Sequence, residues 1–181
     1  YELVILDWSS DVCSSDLAFN FTSSDGWYLK MDVRKYFDSI DQTVLKRHLR
    51  KRFKDRTLLG LFDSIIGTYE TKCDKGLPIG NLISQHLANF YLAHLDHYVK
   101  ETMGVGRYVR YMDDFVIWSN SKPALKDTSL QIASYLKDDL KLDVKPIELN
   151  RCSRGLTFQR QCGGQGADQG YGRRRASIPF R

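Results

Sequence analysis

Two adjacent aspartates, Asp113 and Asp114, sit between short apolar runs. Arg107-Tyr108-Val109-Arg110 lies on one side and Phe115-Val116-Ile117-Trp118 on the other, with Tyr111-Met112 completing the tip. Two strands joined there place two carboxylates side by side at the end of a stiff hairpin. Hard divalent cations such as Mg²⁺ take oxygen ligands of this kind. An Asp-Asp turn alone is a weak signal, because Asp tolerates turn geometry for its own reasons. A third aspartate strengthens it: Asp32 ends another apolar run, Trp27-Tyr28-Leu29-Lys30-Met31, and Phe37-Asp38 follow.

The elements that would position these acids follow from periodicity and punctuation. Trp27 to Val33 reads as a strand. Asp41 can cap a helix through Val44, Leu45, Leu49 and Phe53, whose apolar residues recur at helical spacing. Leu58 to Tyr69 reads as a second helix, and Cys73 to Gly80 as a turn-rich loop with Gly76, Pro78 and Gly80. Ile83, Leu87, Tyr91, Leu95 and Tyr98 mark a long amphipathic helix before the hairpin. Pro123 opens another, with Leu125, Ile132, Leu136 and Leu140 inward, and Leu142 to Ile147 reads as a strand. The order β-α-α-α-β-β-α-β predicts an α+β, ferredoxin-like split βαβ arrangement with one extra helix. In such a sheet the strand ending at Asp32 lies beside the hairpin, so three carboxylates converge.

The run ending at Asp32, Phe37-Asp38, the loop Leu77-Pro78-Ile79-Gly80 with Ser84-Gln85, and Tyr111-Met112-Asp113-Asp114 together resemble a reverse transcriptase palm domain. The resemblance covers roughly Trp27 to Phe158, with partial fingers and without a thumb. It implies an RNA-directed DNA polymerase that adds deoxynucleotides to a primer 3′-hydroxyl on an RNA template. Two cations roughly 3.5–4 Å apart can activate the hydroxyl and stabilise the leaving pyrophosphate. The resemblance assigns Asp32, Asp113 and Asp114, with the Val33 carbonyl, to two Mg²⁺ ions, Mn²⁺ being the substitute. Asp32 and Asp113 would bind most directly and Asp114 would support them.

For the nucleotide, the resemblance implies Phe37 as the aromatic that excludes a ribose 2′-hydroxyl, with Tyr36, Ile79, Gly80 and Lys145 around it. Pro78, Ser84, Gln85, Tyr111 and Met112 would face template and primer. Many reverse transcriptases have Gln in place of Ile79 and Pro in place of Gln85. The form Ile-Gly-x-x-x-Ser-Gln resembles the enzymes of diversity-generating retroelements, which copy a template-repeat RNA and pair with a small basic accessory protein. A group II intron or retron enzyme is the near alternative.

Blander readings stand beside these. Phe37 also suits a packing aromatic, and Lys145 a surface lysine. The run Lys46 to Lys54 either tracks a phosphate backbone or is a solvated helix face. His94 and His97 share a helix face but have no third ligand, which favours packing or surface roles. A non-catalytic RNA-binding module on the same fold would carry an aromatic-rich Lys/Arg-Gly-Phe/Tyr-Gly/Ala-Phe-Val strand, which this sequence lacks. A nucleotide cyclase would share the metal logic but has no use for the Leu-Pro-Ile-Gly loop.

Both ends change character. Asp7 to Leu17, DWSSDVCSSDL, matches in all eleven residues the conceptual translation of a common short-read sequencing adapter. From Gln159 the chain turns Gly-, Gln- and Arg-rich, where the family continues with another apolar strand. That predicts a frameshift near Phe158, or else a disordered basic tail that binds RNA. The expected organisation is therefore 1–17 outside the fold, 18–158 as the palm with partial fingers, and 159–181 as the tail. Lacking finger strands and thumb, the chain alone is expected to show little or no polymerase activity.

The formal net charge is +5 over 181 residues. The acids of 1–17 and the arginines of 159–181 cancel, so the basic excess belongs to the middle and suits a polyanion partner. No Cys-x-x-Cys occurs, which argues against a disulfide framework or a structural zinc. No apolar stretch is long enough to span a membrane and no signal peptide is visible, so a cytoplasmic setting is expected, in a bacterium or phage by the resemblance.

Overall fold

In the computed structural model the described residues are 26–69 and 74–154, with the backbone of 157–159 and 175–177. The adapter-like segment and most of the basic tail lie outside them. The elements are β1 (Trp27–Asp32), α1 (Tyr36–Ser39), α2 (Gln42–Arg52), α3 (Arg56–Ile66), α4 (Leu82–His97), β2 (Tyr108–Tyr111), β3 (Asp114–Ser119), α5 (Lys122–Asp138) and β4 (Glu148–Arg151). A short ribbon pairs Thr157–Gln159 with Arg175–Ser177.

The sheet order is β2-β3-β1-β4, antiparallel throughout, which is the expected ferredoxin-like order. Period-two alternation decides its layering. Leu29, Met31, Phe115 and Ile117 face the helices and pack with Leu87, Tyr91, Leu95, Ile132 and Leu136. Tyr28, Val116 and Trp118 form a smaller cluster on the other face with Cys152, Val109 and Tyr111. By the same alternation Lys30, Asp32 and Asp114 belong to that second face.

The helix starts are legible as caps. The Asp41 carboxylate accepts from Val44 N at 2.9 Å, and Asn81 Oδ1 from Ile83 N at 3.0 Å. Asp55 accepts from Thr57 N and Leu58 N, so α3 begins two residues before the expected Leu58, and it ends at Ile66, capped by Gly67, rather than at Tyr69.

The last strand corrects the expectation. Residues 142–147 form no ladder; only Val144 bridges Val33, and the paired strand is Glu148–Arg151. Pro146 supplies no N–H to a ladder. The register shifts by one residue between Lys30↔Glu148 and Val33↔Val144, which is a bulge around Lys145 to Ile147. Pairing persists on the near side of the bulge, where Lys145 N donates to Asp32 O and Arg34 N to Asp143 O, both at 2.8 Å.

Candidate active site

The β1–β3 ladder ends with Asp32 opposite Asp114, and the β2–β3 ladder ends with Tyr111 opposite Asp114. Asp113 and Met112 therefore form the two-residue turn, with Asp114 already in the strand. Met112 has φ 56°, in the left-handed region. Tight hairpin turns that match strand twist need positive φ at this first position. A residue with a Cβ adopts it at a cost of about 1–2 kcal/mol, so the turn must be held from outside.

The three acids converge as expected. Asp32 Oδ1 and Asp114 Oδ1 are buried and have no hydrogen-bond partner among the described residues. Burial pushes the Asp113 carboxyl up, and the charge of Asp32 adds to the effect. Burial likewise pushes Asp114 up to about 6, against the nearby Lys30 ammonium and with the charges of Asp32 and Asp113. Crowded, dehydrated carboxylates of this kind call for cationic charge.

Two lysines supply part of it. Lys145 Nζ donates to Asp32 Oδ2, an interaction that raises the lysine pKa. The bulge at Pro146 is what aims this side chain, a usual effect of an extra residue in a strand. Lys30 Nζ lies 3.9 Å from Asp114 Oδ2. Among the described residues no three His, Cys, Asp or Glu side chains are gathered as a metal site. The donors nonetheless fit a hard cation: they are carboxylates only, and two carry unpaired buried oxygens. Hydrogen bonds to Asp143 and Lys145 flank Val33, so its own carbonyl points to the hairpin side of β1, as antiparallel pairing dictates.

The nucleotide-side residues divide. Phe37 is half-buried, 5.7 Å from the Tyr36 ring in an edge-on contact. Its carbonyl accepts from Leu77 N at 2.9 Å, which docks the Leu77–Gly80 loop beside it. Gln42 Nε2 pins the same loop through the Gly76 carbonyl at 3.0 Å. Gly80 has φ +92° with open space around it, and Ile79 is 71% exposed, so this loop presents a bare apolar tip. Pro78, Gln85, Tyr111 and Met112 are partly exposed. Two expected contacts are corrected: Tyr36 is buried and donates its hydroxyl to Ala88 O, and Ser84 is fully buried on the core side of α4. The side chains of Tyr36 and Ser84 are therefore packing groups rather than surfaces for nucleotide or template.

A family model described as reverse transcriptase (RNA-dependent DNA polymerase) matches residues 9–149. The chain belongs to the reverse transcriptase family. The retron Ec73 reverse transcriptase of Escherichia coli is 27% identical over 154 residues, 78% of this chain and 48% of that protein. The COX1/OXI3 intron 2 protein of Saccharomyces cerevisiae is 30% identical over 88 residues, 45% of this chain and 10% of that protein. The chain thus spans about half, or much less, of these relatives. Among solved structures, telomerase from Candida albicans with a fragment of telomeric RNA aligns at a TM-score of 0.60 and 15% identity, over 78% of this chain and 30% of that one. That likeness shows the fold, a partial polymerase palm.

This reverse transcriptase palm also contains groups the sequence pattern did not single out. Arg110 is on the helix-facing side of β2, where Asp96 of α4 takes two of its hydrogen bonds, at 2.7 and 2.6 Å. A charge at a core-facing strand position must find a partner, and that was the available signal. Burial pulls the guanidinium pKa down, and Asp96 more than restores it. Lys30 could have been found from its period-two alignment with Asp32. The run Lys46 to Lys54 lies on α2 and just beyond, with Arg47, Arg50, Lys51, Arg52 and Lys54 exposed. His94 packs against His48, with ring centroids 3.8 Å apart, and His97 pairs with Glu101.

Proposed function

We propose that this chain carries the catalytic centre of an RNA-directed DNA polymerase that joins deoxynucleotides to a primer 3′-hydroxyl on an RNA template. The observation that carries this is the register pairing of Asp32 with Asp114 beside the Asp113 turn, with an unpaired buried oxygen on each partner. Asp32, Asp113 and Asp114 would hold Mg²⁺, with Mn²⁺ able to substitute. Bound divalent cations would supply activation of the hydroxyl and neutralisation of charge on the leaving pyrophosphate. Phe37 would close the space beside the sugar C2′, and the Ile79–Gly80 tip would cover the nascent pair. Lys145 would turn from Asp32 toward the triphosphate.

Within the family, Ile79-Gly80 and Ser84-Gln85 favour a diversity-generating retroelement, with a template-repeat RNA and a small basic accessory protein as partners. The retron relative, aligned over most of the chain, favours a retron enzyme as the second reading, with a bacterial cytoplasm as the setting in either case. No described helix is long and apolar enough to cross a membrane. In the full-length protein, Asp113→Asn should lower primer extension by at least about a hundredfold, in line with the loss of a central electrostatic group. Extension at the unsubstituted rate would overturn the assignment.

A further inference from the structure

The catalytic turn is not held by the sheet alone. Met112 adopts φ 56°, and its carbonyl accepts a hydrogen bond from Arg110 Nη1 at 2.7 Å. The same guanidinium is gripped from α4, where Asp96 Oδ1 accepts from Nε at 2.7 Å and Oδ2 from Nη2 at 2.6 Å. Tyr108 Oη donates to Asp96 Oδ1 at 2.7 Å and holds the carboxylate from the other end of β2. Asn89 Oδ1, also on α4, lies 3.4 Å from Nη1. Three separate nitrogens of one planar guanidinium make these contacts, Nε and Nη2 to the carboxylate and Nη1 to the carbonyl, whereas an ammonium's three donors all leave from a single nitrogen.

We propose that Arg110 is a positioning residue, which ties the Met112–Asp113 turn to α4 through Asp96 and so sets where the Asp113 and Asp114 carboxylates stand. The arginine touches neither reacting atoms nor the acids themselves. It acts through one backbone carbonyl, next to the residue whose carboxylate matters. Asp96 belongs to the long helix that packs on the far side of the sheet, so the rigid helix layer sets the height of the turn. The alternative is a buried ion pair that merely fastens β2 to α4.

The inference rests on the metal-binding reading of the acids, so its test has one arm that does not need metal. In Arg110→Lys the charge stays, but a single nitrogen on a shorter side chain replaces the three that now hold Asp96 and the Met112 carbonyl in fixed geometry. Asp96→Asn keeps the side-chain shape and removes the charge, and serves if the lysine variant folds poorly. Hydrogen exchange of the 111–114 amides in the unliganded chain should quicken by about tenfold in either variant, the amides of β1 and α4 being unchanged. Mn²⁺ affinity, read by electron paramagnetic resonance, should fall about tenfold, as for other outer groups that orient metal ligands. Arg50→Lys, in the exposed pair with Asp63, should change neither. Unchanged exchange in the turn, with only a lowered Tm, would overturn the proposal. Faster turn exchange in a chain that binds no Mn²⁺ would support the positioning role and refute the metal reading instead.

Discussion

Asp32 and Asp114 face each other across the β1–β3 ladder, and each keeps a buried oxygen that no described group satisfies. A carboxylate held up at about 6 in the fold, from an ordinary 3.8, is less at home ionised in the fold than in the unfolded chain. Its contribution is most favourable below pH 3.8 and is lost as pH rises through about 6. Asp114→Asn should therefore stabilise the metal-free chain at pH 7, by about 1–3 kcal/mol at roughly 1.4 kcal/mol per pKa unit. Added Mn²⁺ should raise the Tm of the unsubstituted chain more than that of the variant. Thermal melts with and without the ion check both statements, and a destabilised variant would count against the crowding of charge.

The histidine pair predicts the opposite pH response. Burial lowers His48 to about 4, with His94, Arg47 and Lys51 adding to the effect; burial also lowers His94, with His97 and Lys51 adding. A histidine that is neutral in the fold stabilises fully above the unfolded value of 6.5, and that contribution is lost as pH falls toward 4. It opposes Asp114 over the same window. The Tm of Asp114→Asn should thus drop more steeply from pH 7 to 5 than that of the unsubstituted chain. Adding His48→Phe should flatten the drop. Parallel curves in all three would refute the assignment.

The basic run of α2 is exposed on the helix layer, away from the face that carries the acids. Lys51, Arg52 and Lys54 have no ion pair among the described residues, whereas Arg50 is paired with Asp63. If that surface contacts RNA phosphates, replacing all three by Gln should make the slope of log affinity against log salt shallower by about two. Filter binding to a structured RNA across a salt series measures this. An unchanged slope would return the run to an ordinary solvated face.

The parts of the site set by local rules were legible in the sequence. Strand β1, the hairpin and the helix cap at Asp41 follow from alternation and capping chemistry, and with them the meeting of Asp32 and Asp114. Parts set by tertiary context were not. The aim of Lys145 depends on a bulge that Pro146 causes after the chain has returned to β1. Ser84 was turned toward template by the resemblance alone, yet its helical register with Leu87, Ala88 and Tyr91 puts it on the buried side of α4. Arg110 and Asp96 lie 14 positions apart, and only the packing of the hairpin on α4 joins them.

The central claim is that the acids at the end of β1 and β3 are a divalent-metal centre. The most direct measurement is Mn²⁺ binding to this chain at pH 7.5, with Asp32→Asn and Asp113→Asn beside it. The account predicts saturable binding that each substitution weakens by at least about tenfold, with folding intact by circular dichroism. Binding of equal strength in all three chains, or none in the folded unsubstituted chain, would contradict it.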